Sequence, residues 1–329
     1  MKQIVKAILP KSVFNTLRRY YFKMRARRYL SYDINKWINH TLDDSLEKSI
    51  FHIITLYHMI EKGLTMPNRR LGFSYDVIRD LSAYLKKHIL NYGDSHEQIA
   101  VAIRVLLEYR QLHIDNNFKL EDDINTLLEK LYEKYASYEP LSQIEMTKEE
   151  YFGSVNDSFE KFSKSRYSVR YFTGKEVDMD AIKKSISLAQ SAPSACNRQS
   201  TRLKVVSDKT KVQLILDVQG GNRGFGHLVD KLIVVTTDMR AWRLEEMKAG
   251  YIDGGIYAMN LLYSLHHNKV AACALNSYFT PKSDRRMREI IDVPYYENFV
   301  MIIALGTIPE RIMLTHSQRS KTDYTTTFY

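Results

Sequence analysis

The chain has 329 residues, 44% of them hydrophobic, which is enough for one large domain or two smaller ones around buried cores. Its formal net charge of +10 is concentrated at the N-terminus, because nine basic residues precede the first acid, Asp33, and the remainder carries only +1. We therefore expect no nucleic-acid-binding surface across the fold and, without a run of about 18 apolar residues, neither a transmembrane helix nor a secretory signal. The only two cysteines, Cys196 and Cys273, favour a reducing cytoplasm over a disulfide framework.

The N-terminal arm, residues 1–30, mixes basic and apolar side chains. Ile4, Ile8 and Leu17 recur near three- and four-residue spacing, with bases between them. This pattern predicts one or two amphipathic helices interrupted at Pro10. Two interpretations remain open: the arm lies on an anionic membrane surface, at the inner face of the membrane, or it is a basic helix that packs on its own domain or is solvated.

Residues 1–150 are predicted to form an all-helical region. An apolar stripe with helical spacing runs through Leu46–Leu64 and should pack into a helical core. Further helices are predicted by the same spacing at Asp76–Leu90, His96–Leu112 and Leu120–Tyr135. A Gly-Ser break at Gly153 indicates a junction, so we expect a second domain over residues 151–329.

Two polar features of the helical region have more than one interpretation. His58 and Glu61 lie one helical turn apart, where a structural pair is favoured over a metal site. Arg69 and Arg70, just before Gly72, form a basic turn that either contacts an anionic ligand or is an ordinary surface loop.

A basic cluster opens the second half of the chain at Ser165. Arg166, Ser168 and Arg170 alternate with apolar residues, so an extended backbone would direct two guanidinium groups and a hydroxyl to one side. Guanidinium groups bind phosphate oxygens bidentately, and a hydroxyl adds a hydrogen bond without adding charge. The cluster therefore predicts a phosphate site, followed by a capped amphipathic helix that ends in the loop 191–199.

The remaining elements predict a mixed α+β layer. Strands are predicted from apolar, β-branched runs at Leu203–Val206, Leu232–Thr237, Val270–Asn276 and Phe299–Leu305. The helix Asp253–His266 has little polar surface, which indicates burial in a core or at a subunit interface. The glycine-rich loop 220–226 does not fit a dinucleotide fingerprint, because its spacing is wrong and no strand precedes it.

The order Arg-x-Ser-x-Arg-x-Phe, then a helix, then Ala-Pro-Ser-Ala-x-Asn-x-Gln resembles the flavin (FMN)-dependent nitroreductase family over Ser165–Tyr329. The resemblance implies an α+β fold with a mixed sheet flanked by helices, a homodimer, and bound FMN. It implies an oxidoreductase that takes hydride from NADH or NADPH and passes it to a small-molecule acceptor in two steps. It does not explain the helical N-terminal region. Ser200 follows Gln199, where the family usually has a proline.

The same resemblance implies the residues that hold FMN, and it requires no catalytic side chain because the flavin carries the chemistry. The phosphate, ribityl chain and O2 atom would be bound by Arg166, Ser168, Arg170, Arg319 and Lys321. Pro193, Ser194 and Asn197 would reach the flavin across a dimer interface, and the glycine-rich loop would approach it through Asn222 and Arg223. Asn276 and Ser277 would bring a backbone N–H or a hydroxyl to N5.

A non-catalytic alternative remains open at this point. The fold would then serve as a binding or scaffold module, with the helical region and basic arm joining it to a membrane-associated assembly, such as one for cell-surface polysaccharide. Bound flavin would distinguish the two hypotheses, because the enzyme needs it and a scaffold does not.

Overall fold

The computed structural model describes residues 10–41 and 44–329. Its helices are α1 (Lys11–Thr41), α2 (Leu46–Leu64), α3 (Tyr75–Tyr92), α4 (Glu97–Asp115), α5 (Asp122–Lys134), α6 (Lys148–Gly153), α7 (Phe159–Ser165), α8 (Met179–Ala189), α9 (Lys209–Gln219), α10 (Ala249–His267), α11 (Pro281–Ile291) and α12 (Thr322–Thr325). Its strands are β1 (Ile144–Thr147), β2 (Thr201–Val206), β3 (Lys231–Asp238), β4 (Ala271–Leu275), β5 (Glu297–Gly306) and β6 (Arg311–Leu314). None of the helices in these ranges is long and apolar enough to span a membrane.

The helical region is built from α2 to α5, which bury one continuous apolar cluster. The predicted stripe supplies part of it, since Tyr57 and Ile60 are buried in the cluster and Ile54 packs against it, whereas Phe51 is exposed. The hydroxyl of Ser45 caps α2 by accepting a hydrogen bond from Lys48 N at 3.2 Å. The prediction of a helical N-terminal region is confirmed.

Strand β1 is an exception to the expected all-helical character of residues 1–150. It pairs antiparallel with β6, so that Ile144 faces Leu314 across the ladder. A segment that precedes the predicted boundary is thereby tied to the end of the chain. The division at residue 150 stays a prediction.

The main sheet has the strand order β2-β3-β5-β4. Its three strand pairs are all antiparallel, so the sheet is antiparallel and not mixed as expected, while the α+β class is confirmed. Successive residues of β3 face opposite sides and all eight are buried, because helices cover both faces. Helices α8 and α10 pack on one face, and α9 and α11 on the other.

Helix α1 lies largely exposed beside this core. It begins directly after Pro10, and it runs without interruption through the rest of the predicted arm; residues 1–9 lie outside the described residues. Two ion pairs join it to the turns before α10: Arg25 with Glu245, and Asp33 with Lys248.

Candidate functional site

The basic segment 166–172 runs beside the edge strand β4 and the end of β5. Val169 N donates to the carbonyl of Ala272 at 3.0 Å, and Thr173 N donates to the carbonyl of Thr307 at 2.9 Å. Val169 and Phe172 are buried, whereas Arg166, Ser168 and Arg170 remain partly exposed. Burial of Val169 between the partly exposed Ser168 and Arg170 fits the predicted alternation, whereas burial of Phe172, two residues after Arg170, departs from it.

Arg170 lies against the C-terminal tail, which we define as residues 315–321. Its Nη1 donates to Thr315 Oγ1 at 3.3 Å, and the same oxygen accepts from Ser317 Oγ at 3.0 Å. Lys62 of α2 is close enough for its titration to respond to Arg170: burial, and then the Arg170 charge, lower the pKa of Lys62. Lys62 also directly follows Glu61, whose carboxylate accepts from Ser317 N at 3.1 Å, so a cation of the helical region lies on the helix that contacts the tail.

The helical region holds the tail in place. Four hydrogen bonds, each written from donor to acceptor, join the tail to this region: Ser317 N to Glu61 Oε1 (3.1 Å), His316 N to Gln143 Oε1 (3.0 Å), Lys321 N to Glu97 Oε1 (2.8 Å) and Gln98 Nε2 to Ser320 Oγ (3.2 Å). They use backbone groups and a hydroxyl, so the side chains of Arg319 and Lys321 are left exposed.

Glu61 is the most buried of these anchors, with no exposed surface. Besides accepting from Ser317 N, its carboxylate lies 3.0 Å from His58 Nδ1. A buried carboxylate is costly unless it is hydrogen-bonded, and the tail supplies part of that compensation. The predicted His58–Glu61 pair thus has a structural function in holding the tail.

A second, partly buried carboxyl group contacts one of the residues that hold the tail. Glu108 accepts hydrogen bonds from Gln143 N at 3.1 Å and from Gln143 Nε2 at 2.7 Å. Burial raises the pKa of Glu108 to about 7 in spite of these bonds. Gln143 in turn accepts from His316 N, so Glu108 orients the residue that binds the tail.

The predicted phosphate ligands have unbalanced charge. In residues 10–41 and 44–329, Arg166, Arg170, Arg319 and Lys321 form no ion pair with a carboxylate. Cations held by the fold without a partner fit an anionic ligand, since phosphate would supply the missing charge and acceptors. This donor set is compatible with the phosphate of FMN.

His266 lies next to Arg166 and was not predicted. Its Nε2 is 2.8 Å from Ser165 Oγ, and burial, with a smaller effect of the Arg166 charge, lowers the pKa of His266 to about 4. The imidazole is therefore neutral near pH 7 and adds no charge beside Arg166. Its Nδ1 is buried without a hydrogen-bond partner in the described residues.

The loop 193–199 lies elsewhere on the same chain. Pro193 and Ser194 line a cavity of about 30 Å³ with Asp253 and Tyr257 of α10, while Arg166 lines a different narrow space. Ala195 N donates to Asp253 Oδ2 at 2.9 Å. Because this bond is near the start of α10, whereas Ser165, next to Arg166, contacts His266 near its end, one chain separates Ser194 from Arg166; contact of the loop with a flavin of the partner subunit stays a prediction.

The conformation of this loop is strained. Cys196, Asn197 and Gln199 have φ values of 52°, 53° and 48°, a region that non-glycine residues rarely adopt. Gln199 N donates to Ser194 Oγ at 3.0 Å, which helps to hold the turn. Ser200, where the family usually has proline, is buried and its carbonyl accepts from Asp238 N at 2.9 Å.

Three further predicted residues occupy loops near the ends of α9 and β4. Asn222 Nδ2 donates to the carbonyl of Leu216 at 2.5 Å, so this amide caps the C-terminus of α9. Asn276 and Ser277 follow β4, and the carbonyl of Asn276 accepts from Gln219 Nε2 at 3.3 Å. Their roles toward a flavin stay predictions.

A cleft of about 1070 Å³ opens between the helical region and the glycine-rich loop. The end of α2, the start of α3 and the loop 220–225 form its walls, and Lys62, Arg70 and Arg223 line it. Arg69 instead donates from Nη1 to the carbonyl of Leu64 at 3.0 Å, so it caps α2. The two arginines of the predicted basic turn therefore differ in what they contact.

Comparison with known proteins identifies part of this chain. Residues 163–224 match the model of the nitroreductase family, which confirms the resemblance; the helical region lies outside the match. A search of curated proteins found no match.

Solved structures with a similar arrangement come from several bacteria. An FMN-dependent nitroreductase from Clostridium difficile R20291 is 22% identical, covering 51% of this chain and 96% of its own, with a TM-score of 0.43. A putative NADH oxidase from Clostridium acetobutylicum is 20% identical, covering 50% of this chain and 96% of its own, with a TM-score of 0.44. A nitroreductase family protein from Streptococcus pneumoniae TIGR4 is 19% identical, covering 52% of this chain and 100% of its own, with a TM-score of 0.44. We base the functional proposal on the family match and on the site itself.

We predict that Glu61→Ala releases the C-terminal tail. The substitution removes the acceptor of Ser317 N and a charged hydrogen bond of this kind contributes about 1.5–3 kcal/mol, so the free energy of unfolding should fall by a similar amount. Hydrogen exchange followed by mass spectrometry should show faster exchange in residues 315–321. Glu133→Ala, at an exposed site on α5, is the control. Exchange of the tail at the wild-type rate in Glu61→Ala would contradict the assignment of this anchor.

Proposed function

We propose that the protein is an FMN-dependent oxidoreductase that takes hydride from NADH or NADPH and passes it to a small-molecule acceptor in separate half-reactions. The match of residues 163–224 to the nitroreductase family supports oxidoreductase chemistry of this type. The observation that carries the proposal is the set of cations on segment 166–172 and on the tail that form no ion pair with any residue the structure describes. When bound, FMN would supply the hydride-accepting ring.

In this proposal the residues of the chain bind and orient, and none acts as an acid or base. Arg166, Arg319 and Lys321 neutralise the phosphate, and Ser168 donates a hydrogen bond without adding charge. Arg170 donates to the neutral hydroxyl of Thr315 and forms no ion pair with a carboxylate of the described residues. Its charge is available to stabilise negative charge at the O2 side of a bound ring.

The FMN-loaded protein should be bleached by NADH or NADPH under anaerobic conditions, and a quinone or nitroaromatic should restore the colour in a second step.

The double substitution Arg166→Ala/Arg170→Ala should remove the flavin, because each charge-assisted bond to phosphate contributes about 1.5–3 kcal/mol. Flavin content after purification and stopped-flow absorbance are the two measurements.

The matched control is Lys282→Ala/Arg285→Ala, which removes two exposed bases from α11. An FMN-loaded protein that neither nicotinamide reduces over minutes would exclude the proposed donor. A colourless protein without affinity for added FMN would instead favour the scaffold alternative.

We also propose that the protein is a homodimer that associates through α10. Although most of α10 is buried, Tyr251, Ile252, Ile256 and Met259 are exposed on it, next to the loop 193–199. Burying such a face against a second copy is favourable. Sedimentation velocity should give a dimer, and Ile252→Asp/Ile256→Asp should give a monomer, whereas Ile114→Asp on α4 should not. A wild-type monomer at micromolar concentration with flavin bound would refute this.

The membrane interpretation of the arm is supported by α1, which exposes Leu17, Tyr20 and Phe22 together with its bases. We propose that it binds anionic lipid surfaces reversibly, since each base near such a surface contributes about 1 kcal/mol. Deleting residues 1–30 should abolish co-sedimentation with phosphatidylserine vesicles and leave flavin content unchanged. Full-length protein that does not bind these vesicles at low salt would leave the arm with a structural role. A cytoplasmic location stays a prediction.

A further inference from the structure

The cleft between the helical region and the glycine-rich loop is a site that the nitroreductase match does not account for. Most of its lining comes from residues 59–79, which lie outside the matched residues 163–224. The two parts of the chain touch at the wall of the cleft, where Gly224 packs against Met66. The packing is so close that a Cβ added to Gly224 would lie 2.9 Å from Met66 Sδ. Its volume of about 1070 Å³ is sufficient for a metabolite-sized ligand.

The charges in the cleft do not balance. The two carboxylates that line it, Asp76 and Glu121, both pair with Arg79, through contacts of 3.1 Å and 2.5 Å. Three other cations line the cleft and form no ion pair in the described part of the chain: Lys62, Arg70 and Arg223. The cleft therefore has an excess of positive charge that a ligand can neutralise.

Apolar side chains line the cleft beside these cations. Met59, Met66 and Val77 contribute apolar surface, and Phe73 lies at the base of the wall with only 8% of its surface exposed. Such a wall favours a ligand with a flat or apolar body in addition to its charge, because methionine and aromatic side chains adapt to aromatic rings. Inorganic anions alone would leave this surface unused.

Lys62 connects the cleft to the candidate flavin site. It lines the cleft, and it directly follows Glu61, whose carboxylate accepts from Ser317 N of the tail that contacts Arg170. A ligand held in the cleft would therefore lie against the helix that positions the tail and its contact with Arg170. This position suits the molecule that exchanges hydride with a bound flavin.

We propose that this cleft is the acceptor site, and that the acceptor is an anionic small molecule with an aromatic or apolar body. Its carboxylate or phosphate pairs with Arg70, Arg223 and Lys62, the three cations of the cleft wall. The identity of the site as an acceptor site rests on the proposed function; its affinity for aromatic anions does not. The phosphates of the nicotinamide donor have the same chemistry, so the test separates donor from acceptor.

The test compares 4-nitrobenzoate with its neutral analogue 4-nitrobenzamide, by isothermal titration calorimetry on the full chain as purified. The wild type should bind the anion more tightly. In Arg70→Glu/Arg223→Glu, both exposed sites, affinity for the anion should fall at least about tenfold and affinity for the amide should change little. Arg285→Glu on α11 is the matched charge-reversal control, and thermal unfolding verifies that each variant is folded.

Equal affinity of the double variant and the wild type for 4-nitrobenzoate would overturn the proposal, as would absence of anion binding to the wild type at millimolar concentration. A variant that is reduced more slowly by NADH or NADPH, yet retains 4-nitrobenzoate affinity, would assign the cleft to the donor and also overturn it. Flavin content and reduction are measured on the same samples. If neither nicotinamide reduces the flavin but anion affinity still falls, the anion site stands and the proposed donor chemistry fails.

Discussion

The structure depends on the contact between the buried carboxylate of Glu61 and the backbone of the C-terminal tail. Through it, helix α2 determines where Ser317 lies, and hence where Arg319 and Lys321 emerge. Thr315, at the start of the tail, is also the hydrogen-bond partner of Arg170. Because Glu61 has no exposed surface, its carboxylate requires hydrogen-bond partners, and departure of the tail would remove one of them and leave His58 as the other.

This contact gives the helical N-terminal region a physical role in the site. The region supplies Glu61, Glu97, Gln98 and Gln143 to hold the tail, and it supplies Lys62 and Arg70 to the cleft. The candidate phosphate site and the cleft both have cations in excess. The family match covers only residues 163–224, so these additions are what distinguish this chain from the matched domain.

The secondary structure and the polar character of segment 166–172 could be predicted because they depend on local sequence. Val169 is buried and Arg170 is not, as the two-residue alternation of an extended chain requires. By contrast, the pairing of β1 with β6 could not be predicted, because four residues carry too little pattern to specify a distant partner. The antiparallel direction of the main sheet likewise depends on how the helices connect its strands.

The sequence by itself determined the basic cluster, the tail pair Arg319 and Lys321, and the apolar faces that make the helices and strands. Spacing and residue type decide these properties, and both are local. Only the tertiary structure decided that Glu61 anchors the tail, that Arg69 caps α2 while Arg70 lines the cleft, and that Lys62 and Arg223 line the same cleft. Some of these relations bring together residues more than a hundred positions apart, and others give adjacent residues different contacts. Both follow from the packing of the folded chain, which cannot be predicted from a local sequence pattern.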